Sequence, residues 1–398
     1  MRIAIVAESF LPHMNGVTHS LLKVLAHLRA RGDDVLVIAP ASSWLDEPAP
    51  SRVEGFPVHV LPSVALSGYA DVRVAAGTVA RVRRILAAFA PDVVHIASPF
   101  VLGWRAVQAC TQLGIPTVSV YQTEVPAYAA RYGVPWLEPL LWQRVENIHD
   151  ASTLTLVPST FALDQLRSRG VQRLNLWRRG VDTERFSPAR YDAAWRATVA
   201  QPHERIIGYV GRLAAEKQVE DLAVLDSLPG TRLVIVGAGP QQESLRARLP
   251  RARFAGFQGG ADLARRLASF DLFVHPGESE TFCQTIQEAM ACGVPVVAVG
   301  RGGPLDLVDP SRTGWTYTPG DLQGLRAAVV DLIGDDAKRR AFGRAAHASV
   351  QGRTWPVLCE QLVTYYGKAV AVQQRRVHRA ATGADRRADR ARRAFRPE

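Results

Sequence analysis

The sequence predicts an α/β protein built as two parallel-sheet domains that face each other across a cleft. Three observations lead there. A chain of 398 residues exceeds the roughly 250–300 that one hydrophobic core serves before it splits. Short runs of β-branched and other apolar residues alternate with amphipathic stretches, which is how a parallel sheet covered on both faces reads. The alternation stops near residue 178 and restarts near residue 205.

The elements follow in order. Arg2–Ala7 (RIAIVA) reads as a buried strand, the loop Glu8–Gly16 follows it, and Val17–Arg31 is an amphipathic helix closed by Gly32. Asp34–Ala39 is the next strand and Val58–Val60 a short one, and the alanine- and arginine-rich Val72–Ala90 is expected to be helical. Val93–Ile96, Thr117–Tyr121 and Thr153–Val157 are further strands, separated by helices over Trp104–Leu113 and Leu137–Ala151. In the second half, strands are expected at Arg205–Val210, Arg232–Val236, Ala252–Phe254, Leu272–His275 and Val296–Val299. Helices between and after them cover Val219–Asp226, Gln241–Leu249, Ala261–Ser269 and Asp321–Ile333. Glu360–Val372 reads as a last helix bracing the body. The expected organisation is a first domain over 1–178, a second over 179–355, a crossover helix over 356–372 and a tail over 373–398.

Composition excludes several classes. With 47% hydrophobic and 21% charged residues the chain is an ordinary globular protein. Its four cysteines, Cys110, Cys283, Cys292 and Cys359, are too scattered for a paired metal motif and read as reduced thiols of a cytoplasmic protein. The first apolar run is too short for a signal peptide, and nothing approaches the roughly 20 apolar residues that span a bilayer. Net charge is +11, and the nine arginines after Gln373 against Asp385, Asp389 and Glu398 supply +6 of it. That tail lacks apolar periodicity after Val377 and is expected to be disordered. Its simplest role is solubility; the alternative is contact with an anionic membrane surface, where each basic residue is worth roughly 1 kcal/mol. Nucleic acid is not expected as a partner, because no basic stripe with interleaved aromatics is present.

The residues that can do chemistry sit after strands. The segment Gly277–Pro295 (GESETFCQTIQEAMACGVP) puts Glu280 in a loop and Glu288 eight positions later in a helix. The amides of Thr281, Phe282 and Cys283 open that helix, so hydroxyl-rich and phosphate groups find partners together. Gly211–Lys217 (GRLAAEK) follows a strand and carries Arg212, a planar fork, and Lys217, a mobile point charge, which together suit a diphosphate. Gly16 lets the first loop approach a ligand. For each of these the plain alternative stands: a solvated cation, a helix-surface carboxylate, a turn glycine. The glycines of 237–239 and 300–303 are weaker signals of the same kind. Neither a GxGxxG fingerprint after the first strand nor a Walker A loop occurs, which argues against a simple NAD site and against P-loop ATP hydrolysis.

These motifs together resemble the retaining glycosyltransferases of the GT-B family four, over about residues 2–370. The matching pieces are the N-terminal glycine loop, GVDTERF at 180–186, GRLAAEK at 211–217, the Glu280/Glu288 pair and the terminal helix. The segments SFLPHMNGVTHSLLKVLAHL, VYQTEVPAYAARYG and HPGESETFCQTIQEAMACG look most like actinobacterial GDP-mannose-dependent alpha-mannosyltransferases of glycolipid and lipoglycan synthesis. The resemblance implies two Rossmann-like domains, the first binding the acceptor and the second the nucleotide-sugar donor. It implies that Gly16 approaches the donor phosphate or the acceptor side, that Arg212 and Lys217 hold the diphosphate, and that Glu288 engages the ribose. Glu280, with the Thr281, Phe282 and Cys283 amides, falls at the hexose and phosphate end. Many members carry a histidine where this chain has Gln122. A glutamine hydrogen-bonds but cannot act as acid or base near pH 7, and His13 and His149 read better as local packing than as its replacements.

The implied activity is retaining transfer of a hexose, mannose from GDP-mannose, to a hydroxyl of a lipid-linked glycan or glycolipid. No resident cofactor or metal is expected, and the implied site is the cytoplasmic face of the membrane. Alternatives are transfer from UDP-glucose or UDP-glucuronate, epimerisation of a sugar nucleotide, and sugar-nucleotide binding without catalysis.

Overall fold

The computed structural model describes residues 1–42, 48–66, 69–98, 100–124, 126 and 135–394. Much of the second half of the VYQTEVPAYAARYG segment, and the last four residues of the tail, lie outside them. Two sheets organise the chain. The first has eight strands: β1 (Arg2–Val6), β2 (Asp34–Pro40), β3 (Arg52–Val53), β4 (Phe56–Leu61), β7 (Val93–Ile96), β8 (Thr117–Val120), β9 (Leu154–Val157) and β10 (Leu174–Leu176). Their order is β10-β9-β8-β7-β1-β2-β4-β3, parallel except for the short β3–β4 pairing. A separate hairpin pairs β5 (Ser63–Leu66) with β6 (Tyr69–Ala75). The second sheet is parallel throughout, in the order β13-β12-β11-β14-β15-β16. Its strands are β11 (Arg205–Val210), β12 (Thr231–Val236), β13 (Arg253–Gly256), β14 (Leu272–His275), β15 (Val296–Val299) and β16 (Gly314–Tyr317).

Burial explains the strands. β1, β7, β8 and β9 are buried at nearly every position, so their apolar runs face covering layers on both sides. Helix boundaries are equally local. Asn15 accepts hydrogen bonds from the Val17 and Thr18 amides to start the Gly16–Arg31 helix, and left-handed Gly32 ends it. The structure corrects two expectations. Val72–Ala90 is not one helix: β6 runs to Ala75, and Thr78 caps a helix over Val79–Phe89. The alanines there suggest helix, but the β-branched Val72 and Val74 favour strand and Gly77 interrupts the segment.

The second correction concerns the tail. The terminal helix begins at Trp355 and continues to Ala394, through most of the stretch expected to be disordered. Alanine and arginine are strong helix formers, and the first proline after Pro356 is Pro397.

That helix starts beside the second domain but is packed into the first. Leu358, Cys359, Leu362, Val363, Tyr366 and Ala369 join the core formed by β1, β2, β8 and the Gly16–Arg31 helix. Trp177 donates its indole N–H to the Leu358 carbonyl at 2.7 Å, and the Tyr366 hydroxyl lies 2.6 Å from His95 Nδ1. His95 is fully buried, and burial pushes its pKa down to about 3, so it is a neutral hydrogen-bonding partner. Tyr366→Phe leaves that buried ring nitrogen unpaired and is expected to cost about 1–3 kcal/mol of unfolding free energy in a urea titration. A variant as stable as the wild type would show that the bond does not anchor the helix.

Candidate functional site

The carboxyl ends of β1, β8, β11, β14 and β15 carry the loops that bear the candidate residues, which is where open parallel sheets bind ligands. From β11 the chain passes Gly211 and Arg212 into a single 3-10 turn, Ala215–Lys217. From β14 it passes through 276–283 into the Gln284–Ala291 helix, whose N-cap Cys283 has a left-handed φ of 71°. Lys217 Nζ sits 2.5 Å from Glu280 Oε1, and His275 Nε2 is 3.3 Å from the same oxygen. With side chains 19% and 14% exposed, Lys217 and Glu280 interact more strongly than a surface pair does.

Electrostatics sort the two glutamates. Burial pushes the Glu280 carboxyl up, but the Lys217 charge and the His275 contact outweigh it and hold the group at about 2. His275 is driven down by burial and up by Cys283 and Glu280, with a net rise to about 9. This corner brings the Lys217 ammonium, the Glu280 carboxylate and the His275 ring together, with Cys283 beside them. Glu288 differs. Burial raises it to about 8 against Gln284 and Arg185, so at neutral pH it is mostly a protonated acid able both to donate to and accept from a hydroxyl. Its charged surroundings come from Asp182 and Arg185 of the 180–186 segment. The structure therefore groups Glu280 with Lys217 and His275, and Glu288 with the segment linking the domains.

Two domains meet here. The Thr281 hydroxyl donates to the Gln122 carbonyl at 2.7 Å, across the seam. Gln122 uses both ends of its amide: Nε2 donates to the Ala97 carbonyl at 2.9 Å, and Oε1 accepts from Arg179 Nη2 at 2.6 Å. Arg179 Nη1 donates to the Gly16 carbonyl at 2.7 Å. Burial lowers the Arg179 pKa to about 10, opposed by the Glu280 charge, so the guanidinium stays charged at neutral pH. Gly16 and Gln122 are thus brought together by an arginine. Arg212 lies exposed at the head of the Lys217 loop, its carbonyl accepting from Tyr209 at 3.2 Å.

Phe282 and Cys283 are buried. The 300–303 loop does make a close approach, to the protein's own backbone: a Cβ on Gly303 would fall 2.3 Å from Phe282 Cα, and the Gly303 amide donates to the Glu280 carbonyl at 2.7 Å. These contacts fix the loop that carries Glu280.

Of the two histidines considered in place of the usual one, His149 is buried elsewhere. It faces Thr155 Oγ1 at 3.1 Å and packs edge-on against Tyr121, with burial lowering its pKa to about 3. The sequence reading missed Arg179 and His275. Arg179 stands immediately before GVDTERF and His275 opens the glutamate-bearing segment, so proximity to a motif was the available signal.

Comparison with known proteins gives the class. Residues 14–185 match the model for Glycosyltransferase Family 4 and residues 193–349 that for Glycosyl transferases group 1. The chain belongs to this family of glycosyltransferases and is an enzyme of that class, with the two-domain GT-B fold. Within the family it is similar to proteins called GDP-mannose-dependent alpha-mannosyltransferase. The one from Mycolicibacterium smegmatis is 46% identical over 96% of this chain and 100% of that protein, and the one from Corynebacterium glutamicum 42% over 94% and 91%. Among solved structures, sucrose-phosphate synthase from Thermosynechococcus elongatus superposes with a TM-score of 0.78 at 22% identity, covering 93% of this chain and 99% of that one. Anabaena HepE in complex with UDP gives 0.74 at 20%, covering 92% and 100%.

The raised pKa of His275 has a consequence for stability. Because its folded value lies above the ordinary 6.5, its contribution is complete below about pH 6.5 and is lost as pH rises through about 9. His275→Gln is expected to fall less in unfolding free energy across that window, measured by urea titration at a series of pH values. Parallel curves for wild type and variant would remove the charged imidazole from the site.

Proposed function

We propose that the chain transfers an α-mannosyl group from GDP-mannose, with retention of configuration, to a hydroxyl of a lipid-linked glycan or glycolipid. The observation that carries the reading is the partly buried Lys217–Glu280 pair at the seam where Thr281 meets Gln122. It supplies a fixed cation for a diphosphate next to a carboxylate for sugar hydroxyls. The 42–46% identity to proteins named for GDP-mannose supports the donor.

In this reading the second domain holds the donor and the first the acceptor. Lys217 and Arg212 bind the diphosphate, the Thr281, Phe282 and Cys283 amides help at the same end, and Glu288 takes the ribose. The bond from the sugar's anomeric carbon to the phosphate oxygen breaks as the bond to the acceptor oxygen forms on the same face. The acceptor's proton passes to the departing phosphate, and the cations stabilise the charge that develops there. Gln122, held by Arg179 and Ala97, orients a hydroxyl and moves no proton. Glu280 fixes Lys217 and the transferred sugar and is not a nucleophile; the glycosidase carboxylate pair is not required. Two cations do the electrostatic task, so turnover is metal-independent.

Lys217→Ala is expected to lower kcat by about 10²–10³-fold while the protein stays folded, by analogy with removing one transition-state donor. The assay combines a panel of nucleotide sugars with a membrane lipid extract, in buffer containing EDTA, and reads the product by mass analysis. Near-normal turnover by the variant ends the phosphate-clamp assignment, and a product from another donor ends the mannosyl one.

The lipid-linked acceptor puts the enzyme at the inner face of the membrane as a peripheral protein. Arg375, Arg376 and Arg379 are exposed on the terminal helix, with Val377 59% exposed between them, a pattern suited to anionic headgroups. Among the described residues no helix is long and apolar enough to cross a membrane. Full-length protein is expected to sediment with anionic but not neutral liposomes, and a deletion after Val372 to lose that preference. Equal sedimentation of the two proteins would reject docking through the tail.

A further inference from the structure

The segment from the end of β14 to the helix start carries an imidazole, a carboxylate and a thiol in the spacing H-x4-E-x2-C. The ligand atoms of His275, Glu280 and Cys283 lie within 4.8 Å of one another, and among the described residues this is the one place where three such side chains converge. His275 Nε2 and Glu280 Oε1 are 3.3 Å apart. That separation is already the edge of a tetrahedron about an ion with bonds of about 2.0–2.3 Å, whose edges are about 3.3–3.8 Å.

The donors are held in place. His275 is the last residue of β14 and Cys283 the helix N-cap, and they are only 2% and 5% exposed. Nε2 is the ring nitrogen of His275 that faces Glu280, so it is the one placed to ligate; Nδ1 is buried and takes no part in the site. Imidazole and thiolate beside one carboxylate select zinc and cobalt over magnesium or calcium, and three protein ligands leave a fourth position open.

We infer that His275, Glu280 and Cys283 form a binding site for a zinc-class divalent cation, which slows transfer by taking Glu280 away from Lys217. Lys217 is the competitor for the same carboxylate oxygen, and its flexible four-carbon stem lets the ammonium move aside. Binding uses the thiolate and the neutral imidazole, so it releases protons and tightens as pH rises. The inhibitory half rests on the reading of this cleft as the transfer site. The binding half does not, and is measured without turnover.

The full chain, freed of metal by a chelator, is titrated with Co²⁺ alone. The expected result is one ion per chain by equilibrium dialysis, with a thiolate-to-cobalt charge-transfer absorbance. Cys283→Ala keeps the Cβ and hence the same backbone requirement, and is expected to lose the absorbance and at least about tenfold in affinity. Cys283→Ser, closer in size, serves if alanine melts early. Zn²⁺ is expected to lower wild-type turnover by at least about tenfold and excess EDTA to restore it, while the ratio of rates with and without Zn²⁺ in Cys283→Ala stays near one. An equal absorbance in Cys283→Ala, or no bound ion in the wild type, overturns the site. Binding with undiminished turnover overturns the inhibitory role.

Discussion

The arrangement of the cleft hangs on a buried guanidinium. Arg179 lies on the connection between the domains, 7% exposed, and binds the Gly16 carbonyl with one nitrogen and the Gln122 side chain with another. Its own carbonyl accepts from Gln287 of the Gln284–Ala291 helix at 3.0 Å. One residue therefore ties the first loop of the first domain, the end of β8 and the glutamate-bearing helix of the second domain. A charge removed from water in this way persists only where its hydrogen bonds are met and an opposite charge is near. The carbonyl, the amide oxygen and the field of Glu280 meet that requirement.

The same economy explains why the two glutamates of one motif behave differently. Glu280 is kept ionised by Lys217 and His275, whereas Glu288, eight positions on, is left protonated by burial near Asp182. In the proposed reading a diphosphate brings negative charge to the Lys217 ammonium at that corner. In the same reading a ribose brings hydroxyls to Glu288, an acid that can donate and accept. The chemistry expected at each end is thus set by which cations the loops deliver, and the sheet supplies the positions.

Much of this was legible in the sequence, for reasons that differ by element. The strands β1, β7, β11 and β14 are continuous apolar runs buried on both faces, and their period leaves little choice. Gly211–Lys217 and the Glu280 segment were legible because charged residues follow directly on strands. The hairpin of β5 and β6 was not, because alanines and arginines after Val72 suggest a helix until Gly77 is weighed. The short β16 (Gly314–Tyr317) and the Asp336–Val350 helix were missed: the one carries only four residues, and the other is rich in charge around a narrow buried stripe of Arg339, Gly343, Ala346 and Val350. Arg179 was invisible for another reason. Its role depends on a pairing with Gln122, 57 positions away, that no local pattern encodes.

The rim of the cleft repeats the logic of its centre, with the domains exchanging charge for backbone. Asp306 of the second domain, its side chain 2% exposed, receives the Thr160 amide at 3.1 Å, the Thr160 hydroxyl and Arg178 Nη2 at 2.9 Å. Thr160 is the first residue of the Thr160–Ser168 helix, so a carboxylate from one domain satisfies the amino end of a helix in the other. Arg301 reaches Glu124 at 3.4 Å on the same side. Polar contacts of this kind favour one relative placement of the domains by direction and distance, which apolar burial does not do. The terminal helix sets the other end of that geometry, since Trp355 packs against Gly180 at the linker while Leu362 and Tyr366 lie in the first core. Held at the linker by packing and at the rim by charge, the two sheets present their loop ends to one another at the spacing that lets Thr281 reach Gln122.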